Sequence, residues 1–249
     1  MRLKDKVAVI TGSSRGIGRA IALEFAKQGA KLVITYNREA GQAAAVAEQI
    51  LSEKGQAVVV QLEVRNRQSI REMFEAAQKQ FGRIDILVNN AGINKRCFFE
   101  DITNEDWDSI MAVNLKGPFV CCQEVFPYMV KQKGGRIINI ASVAGQYHGP
   151  KTVHYAVSKA GLISLTKVLA RYGAAHNILV NAIAPGIIRT DQTRDELGNP
   201  AGDAIVEMTL LKRPCELHDV TKTSVLLASD EQNYITGQVI GVSGGAYLG

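Results

Sequence analysis

The sequence lacks the features that mark secreted, membrane-spanning or metal-binding proteins. It has four cysteines, none in Cys-x-x-Cys spacing, so neither a disulfide framework nor a thiolate metal site is indicated. The apolar run near the amino terminus, Val7 to Ile10, is too short for a signal peptide or a membrane span. Long runs of like charge are also missing, and a net charge of +5 does not argue for nucleic acid. We expect a cytoplasmic protein with reduced thiols and without metal, membrane or nucleic-acid partners.

The sequence does contain a regular alternation of short β-branched runs and longer helical patterns. Strands are expected at residues 7–10, 31–36, 57–62, 84–88, 136–140, 178–184 and 238–242. Helices are expected between them, at 19–28, 40–54, 69–81, 105–131, 153–174 and 216–228. The alternation predicts one α/β domain over residues 1–249, doubly wound around a parallel sheet of about seven strands. The least regular segment, 187–214, is expected to form a substrate lid.

A glycine-rich turn, Gly12-Ser13-Ser14-Arg15-Gly16-Ile17-Gly18, joins the first predicted strand to the first helix. Gly12 permits a tight turn, Gly16 lets the backbone approach a pyrophosphate, and Gly18 allows close packing of helix on sheet. The amino terminus of the helix would then face the phosphates. The order of strand, turn and helix therefore predicts a Rossmann-type dinucleotide site.

Tyr155 and Lys159 lie four residues apart within a predicted helix and so share one of its faces. A free phenol has a pKa of about 10, and a fixed positive charge nearby lowers it toward the range useful for acid-base catalysis. The alternative is an ordinary pair of residues on an amphipathic helix.

The chain resembles the short-chain dehydrogenase/reductases over nearly its whole length. The resemblance is carried by the glycine turn after Thr11, Asn89-Asn90-Ala91-Gly92, Asn114 in Val-Asn-Leu-Lys-Gly, Ser142, Tyr155-x-x-x-Lys159, and Pro185-Gly186 followed by Thr190. It implies that Tyr155 is the general acid in reduction and that Ser142 holds the substrate carbonyl oxygen. It further implies that Lys159 lowers the pKa of Tyr155 and binds the nicotinamide ribose, while Asn114 fixes a water.

The resemblance also implies a set of cofactor contacts. They are Gly12, Ser14, Arg15, Gly16, Ile17, Gly18, Arg38, Asn90, Ala91, Gly92, Tyr155, Lys159, Pro185, Gly186, Ile188 and Thr190. Structural alternatives remain for some site residues: Asn114 would bend a helix, Ser142 would cap one, and Asn89 and Asn90 would shape a turn. His148 and His154 flank the site and are expected to be bystanders.

The end of the second strand indicates which nicotinamide cofactor binds. NAD-specific sites place an acidic residue there, whereas this chain has Tyr36-Asn37-Arg38 before the first acid, Glu39. Arg15 lies in the glycine turn, and guanidinium groups suit phosphate oxygens. NADP(H) is expected, with NAD(H) as the alternative if Arg38 only starts a helix and Arg15 pairs with an acid.

Two positions depart from the family pattern. The acidic residue that the family commonly has at the end of the third strand is replaced, because the segment reads Leu62-Glu63-Val64, and the adenine contact stays open. Ser243 replaces an acid before the last glycine pair. Neither departure involves the expected catalytic residues.

The substrate is the least determined feature. The segments Gly-Arg-Ile-Ile-Asn-Ile-Ala-Ser and Tyr-Ile-Thr-Gly-Gln-Val-Ile resemble those of 3-oxoacyl-(acyl-carrier-protein) reductases. In those enzymes basic residues receive an acidic carrier, and Lys133 and Arg171 are the candidates here, if they are not ordinary solvated charges. Asn94-Lys95-Arg96 instead resembles sugar-acid and polyol dehydrogenases of the same family. A non-catalytic NADP-binding sensor is a third possibility. Relatives commonly pair their long helices in tetramers, and the apolar faces predicted here agree with a homotetramer.

Overall fold

The computed structural model describes residues 1–147, 152–188 and 200–249. Seven parallel strands form one sheet in the order β3-β2-β1-β4-β5-β6-β7. The strands are β1 Val7–Ile10, β2 Lys31–Tyr36, β3 Gln56–Gln61, β4 Ile86–Asn89, β5 Gly135–Ile140, β6 Ile178–Pro185 and β7 Val239–Val242. The predicted fold class is therefore confirmed.

Helices cover both faces of the sheet, as parallel strands joined by helical crossovers require. They are α1 Gly16–Lys27, α2 Ala40–Ser52, α3 Arg67–Phe81, α4 Asn104–Met111, α5 Gly117–Lys131, α6 Val153–Ala174, α7 Pro200–Glu207 and α8 Leu217–Ala228. One hydrophobic core lies beneath α1, α2 and α8, with Phe25 and Ile50 fully buried. A second lies beneath α3, α5 and α6, with Phe74 and Met129 fully buried. Burial on both faces explains why the strands are almost continuously apolar.

The single helix expected over 105–131 is wrong in its middle. A π-helical turn, Ala112–Lys116, separates α4 from α5. In an α-helix the carbonyl of Asn114 would accept from the N–H of residue 118, but Pro118 has no N–H. The missing donor gives a physical reason for the wider turn, and it leaves this carbonyl without its α-helical partner. The change in helix geometry thus follows from Pro118 and not from the side chain of Asn114.

The strand order places the site. The order reverses at β1, whose neighbours are β2 on one side and β4 on the other. Sheets of this kind bind ligands beyond the carboxyl ends of their strands at such a switch point. That edge of the sheet carries the segments after β1, β4, β5 and β6. In the part of the chain that is described, no helix is long and apolar enough to cross a membrane.

Candidate active site

The three glycines of the turn after β1 have three different surroundings. Gly12 and Gly16 have positive φ values, +65° and +56°, in the left-handed region that favours glycine. A methyl group at Gly18 would lie 2.4 Å from both the Gly12 carbonyl oxygen and Asn90 Nδ2, whereas one at Gly16 would meet nothing within 4 Å. The turn is therefore tight at Gly12, packed at Gly18 and open at Gly16. This arrangement fits the roles expected for a turn that receives a pyrophosphate.

Hydroxyl groups that the sequence reasoning passed over hold the turn in place. Thr11 Oγ1 accepts hydrogen bonds from the main-chain N–H groups of Asn90 and Ala91, each at 3.0 Å. Asn90 Nδ2 returns hydrogen bonds to the carbonyls of Thr11 and Gly12, each at 2.9 Å. Ser13 Oγ accepts from the N–H of Thr35 at 2.8 Å, and Thr35 Oγ1 accepts from Gly12 N–H at 2.9 Å. In the sequence, such residues could have been found as a Ser or Thr within a buried strand or directly after it.

The amino terminus of α1 is left free to bind an anion. Arg15 occupies the N-cap position with extended backbone, and its side chain makes no capping hydrogen bond. The first N–H groups of a helix have no partner within the helix, and they carry the positive end of its dipole. A phosphate beside Gly16 would satisfy them. We call the turn from Gly12 to Gly18, with the hydroxyl groups that hold it, the cradle. The cradle and the amino terminus of α1 together fit a dinucleotide.

Lys159 lies at the centre of the carboxyl edge of the sheet. Its Nζ donates to the carbonyl of Ile140, the last residue of β5, at 2.8 Å, and lies 5.6 Å from the centre of the Tyr155 ring. A methyl group at Gly92 would be 3.7 Å from the same nitrogen. Burial lowers the pKa of Lys159 to about 8. The site therefore holds a desolvated cation beside a phenol, as the spacing within α6 predicts.

Ser142 follows β5 and faces the same edge. Its Oγ accepts from the N–H of Ala144 at 3.1 Å and so caps a short 3-10 turn, Val143–Gly145. A methyl group at Gly145 would lie 2.7 Å from the main chain at Lys159, so this turn packs directly on α6. The cap uses one lone pair of the hydroxyl and leaves its proton available. Capping and substrate contact are thus compatible.

Asn114 is fully buried, and its amide group is already engaged. Oδ1 accepts from Ile93 N–H at 2.9 Å, and Nδ2 donates to the Ile93 carbonyl at 2.8 Å and to Ser158 Oγ at 3.2 Å. Ser158 Oγ donates in turn to the Tyr155 carbonyl at 2.7 Å. The side chain therefore ties the loop after β4 to the catalytic helix. A water expected at Asn114 would be held by its main-chain carbonyl, which Pro118 leaves without an α-helical donor.

The remaining expected cofactor residues line the same edge or lie outside the described residues. Gly186 donates its N–H to Val242 at 2.9 Å, directly after Pro185 ends β6. Ile188 is buried in an isolated bridge to Cys215. Ser14, Ile17, Ala91 and Gly92 are near the turn, the first two half-buried and the last two in the segment after β4. Thr190 and most of the segment expected to form a lid lie outside the described residues.

Arg15 and Arg38 are exposed at the cofactor end of the site. Among the described residues neither forms an ion pair, so the alternative in which Arg15 pairs with an acid finds no support there. Glu39, the first acid after β2, is exposed as well. Glu63 is held by Arg65, whose Nη2 lies 2.7 Å from Oε2, and this hydrogen bond lowers the pKa of Glu63 to about 2.

One of the side chains near the site, Asn89, differs from what the sequence predicts, and His154 keeps its expected place beside the site. Asn89 does not shape the turn with Asn90, because its Nδ2 donates to Asn139 Oδ1 at 2.8 Å and to Cys122 Sγ at 3.3 Å beneath the sheet edge. His154 is fully buried, with neither ring nitrogen hydrogen-bonded within the described residues, and burial lowers its pKa. His148 lies outside the described residues.

The two basic candidates for receiving a carrier lie at the amino ends of the strands, opposite to the edge that carries Tyr155. Lys133 follows α5 and precedes β5, so it lies at the amino ends of the strands. Arg171 is in the last turn of α6, 16 residues after Tyr155 and about 24 Å away at 1.5 Å per helical residue. Neither residue borders the edge at which a carbonyl would meet Tyr155. Their role in receiving a carrier therefore stays a prediction, for a carrier that would have to dock about 24 Å or more from the catalytic tyrosine.

Comparisons with known proteins give consistent results. A family model described as enoyl-(acyl carrier protein) reductase matches residues 12–247. The 3-oxoacyl-(acyl-carrier-protein) reductase FabG of Thermotoga maritima is 42% identical over 248 residues, covering 100% of both chains. The protein of that name from Staphylococcus epidermidis is 41% identical over 244 residues, 98% of this chain and 100% of the relative. The crystal structure of a dehydrogenase/reductase from Sinorhizobium meliloti 1021 has a TM-score of 0.93 at 34% identity, covering 99% of this chain and 96% of that one.

Proposed function

The chain belongs to the short-chain dehydrogenase/reductase family and is an oxidoreductase that acts on CH–OH groups with a nicotinamide cofactor, and we propose that it reduces 3-oxoacyl thioesters with NADPH. The observation that carries the proposal is the buried ammonium of Lys159 beside the Tyr155 ring, at the sheet edge that also carries Ser142 and the glycine turn. The names of the relatives support the thioester as substrate.

The residues around the glycine turn would hold the cofactor. Gly12, Gly16 and the amino terminus of α1 would receive the pyrophosphate, while Lys159 would bind the nicotinamide ribose. When bound, the nicotinamide supplies a hydride to the carbonyl carbon. The open space at Gly16 and the hydroxyl groups that fix the turn support this placement.

The chain's own residues would handle the charge and the proton on the carbonyl oxygen. Negative charge develops on that oxygen as the hydride arrives, and donors placed in advance lower the barrier. Ser142 would donate its hydroxyl proton to the oxygen, and Tyr155 would transfer its phenolic proton to it. Lys159 would favour the resulting phenolate, since its ammonium nitrogen lies 5.6 Å from the centre of the Tyr155 ring.

NADPH is proposed over NADH because of charge at the adenosine end of the site. Arg15 and Arg38 are both exposed and without ion pairs in the described part of the chain, so they are available for a 2′-phosphate. Guanidinium groups bind phosphate through two parallel hydrogen bonds. Of the two acids near this end of β2, Glu63 is paired with Arg65, and Glu39 would oppose a 2′-phosphate if it replaced Arg38 in the site.

A second copy of the chain is the proposed partner. The outer surfaces of α4, the π turn, α5 and α6 form an apolar groove of about 740 Å³, lined among others by Met111, Leu115, Phe119, Leu165 and Val168. An apolar face on helices that are already packed on the sheet favours burial against another subunit. We propose a homotetramer that uses this face. Separately, we propose that the segment 187–214 serves as a substrate lid.

A small-ketone dehydrogenase, such as one for sugar acids or polyols, is the alternative. In such an enzyme Lys95 would be expected to bind an acidic substrate, but its Nζ lies 2.6 Å from Asp106 Oδ2. This ion pair already neutralises the charge of Lys95 and weakens the case for the alternative. A non-catalytic sensor is disfavoured because the acid, the cation and the hydroxyl lie at one edge.

The proposal is tested by following NADPH oxidation with a panel of substrates. Acetoacetyl thioesters on acyl carrier protein and on coenzyme A are compared with keto-sugars, keto-acids and a 2-enoyl thioester. We expect the highest kcat/KM with the 3-oxoacyl thioesters. Turnover restricted to keto-sugars or keto-acids would establish the alternative, and turnover of the enoyl thioester would assign the reaction that the family model names. Absence of turnover across the panel would contradict the proposal and favour the sensor.

A further inference from the structure

A polar cavity of about 310 Å³ opens at the edge of the sheet opposite to Tyr155. Its walls come from Lys6 before β1, Asp85 before β4, Arg136 at the start of β5 and Asn177 before β6. Because all strands of the sheet are parallel, these residues lie at the amino ends of the strands. The cavity is therefore separated from the candidate active site by the length of the sheet.

Positive charge exceeds negative charge in this cavity. Its charged lining residues are Lys6, Arg83, Lys133 and Arg136, which are cationic, and Asp85 and Asp230, which are anionic. Two positive charges are left in excess. Like charges brought together at the rim of one cavity repel each other unless an anion lies between them.

Both carboxylates are already engaged. Asp85 accepts two hydrogen bonds from Arg83 Nε, at 2.9 and 3.1 Å, one from Arg83 Nη2 at 2.6 Å, and one from Val7 N–H at 2.9 Å. Asp230 Oδ2 lies 2.7 Å from Lys6 Nζ. Asp85 is thus paired with Arg83 and Asp230 with Lys6, while the other Asp230 oxygen, Oδ1, lies 3.6 Å from Arg136 Nη2.

Arg136 is the cation that these acids leave poorly compensated. Its side chain is only 10% exposed, and its nearest carboxylate oxygen, Asp230 Oδ1, is 3.6 Å away. Its other contacts are neutral oxygens, Asn233 Oδ1 at 2.6 Å and the Gly135 carbonyl at 3.2 Å. Burying a charge without a close counter-ion is costly, and the burial lowers the pKa of Arg136.

Lys133 adds a second available charge at the rim. It is exposed and forms no ion pair within residues 1–147, 152–188 and 200–249. Its backbone has a φ of +62° in the turn between α5 and β5. This turn brings its side chain to the same cavity as Arg136.

We propose that this cavity binds a dianionic phosphate group, with Arg136 as the buried contact and Lys133 and Lys6 at the rim. Two excess positive charges match the charge of the dianion. Guanidinium and ammonium donors are also those that proteins commonly use for phosphate. The group would come either from inorganic phosphate or from a phosphate monoester.

The test is thermal unfolding during titration with sodium phosphate, with sodium chloride replacing it at constant ionic strength. A ligand that binds only the folded state raises Tm with its concentration. We expect such a rise for the wild type, and Lys133→Met should need at least threefold more phosphate for the same rise in Tm. Lys54→Met is the matched control, because Lys54 is also exposed and has a φ of +64° but lies elsewhere. Its rise in Tm should equal that of the wild type.

Three results would overturn the proposal. The first is a wild-type rise no larger than that with chloride, and the second is a rise in Lys133→Met equal to that of the wild type at every phosphate concentration. The third is loss of the rise in the double variant Arg15→Ala/Arg38→Ala, because phosphate would then be binding at the nucleotide site. Repeating the titration with glycerol phosphate separates the two sources, since a site for a monoester predicts the larger rise with glycerol phosphate and a site for inorganic phosphate predicts the smaller one. Lys133→Met changes no residue proposed to act in catalysis, so this test is independent of turnover.

Discussion

Removing the buried charge of Lys159 should change how the stability of the protein depends on pH. The ordinary lysine pKa of 10.5 is lowered to about 8 in the folded protein, and desolvation is the cause. Below about pH 8 both states carry the proton, and the folded state bears the full cost of the buried charge. Between the two pKa values the folded protein releases the proton while the unfolded chain keeps it, so stability rises with pH.

The size of this effect follows from the shift. At about 1.4 kcal/mol for each tenfold change in proton affinity, the buried charge costs about 3 kcal/mol at neutral pH. The free energy of unfolding of the wild type, measured relative to Lys159→Met, should therefore rise by about 2 to 3 kcal/mol from about pH 7 to pH 10. Titrating groups away from Lys159, including the buried cysteines, are common to both proteins and cancel in the difference. Tyr155 lies beside Lys159 and does not cancel, so both proteins also carry Tyr155→Phe in this comparison.

Urea unfolding followed by circular dichroism, without added nucleotide, measures this difference. Lys167→Met is the control, because Lys167 lies on the same helix but is exposed. Its curve should run parallel to that of the wild type. If the wild type and Lys159→Met also run parallel, Lys159 does not carry a desolvated charge, and the argument for its effect on Tyr155 fails.

Three further predictions concern the cradle, the cofactor and the assembly. Gly18→Ala should lower stability by about 1–3 kcal/mol in thermal melts through overpacking, whereas Gly16→Ala should cost about 1 kcal/mol, from backbone strain alone. The wild type should prefer NADPH over NADH by at least about tenfold in kcat/KM. Arg15→Ala/Arg38→Ala should remove most of that preference and keep the activity with NADH. An unchanged preference would show that these arginines do not bind the 2′-phosphate. Phe119→Glu should convert the oligomer to smaller species in sedimentation velocity, while a wild type that is already monomeric at micromolar concentration would refute the tetramer.

Much of the fold could be predicted from the sequence because its signals are local. The buried run Val7–Ile10 and the β-branched run Lys31–Tyr36 are strands with the predicted bounds, and α6 spans the predicted residues. Turn glycines need a specific backbone geometry, so their spacing predicts the cradle. Tyr155 and Lys159 are four apart on one helix, and helical geometry alone brings them together.

The features that could not be predicted depend on contacts between distant segments. The π turn at Asn114 follows from Pro118, but nothing in the local pattern shows that the amide of Asn114 pairs with Ile93. Charge alone does not tell which edge of a sheet Lys133 and Arg171 border. The order of the elements places both at the amino ends of the strands.

The most direct test of the proposed mechanism is the turnover of Tyr155→Phe. The change removes one hydroxyl group and keeps the ring beside Lys159, so NADPH binding, measured by fluorescence titration, should be retained. Steady-state NADPH oxidation with an acetoacetyl thioester should fall by at least about 10²-fold in kcat, the usual loss for an acid-base group. Near-normal kcat in a folded variant that binds NADPH would contradict the assignment of Tyr155 as the proton donor.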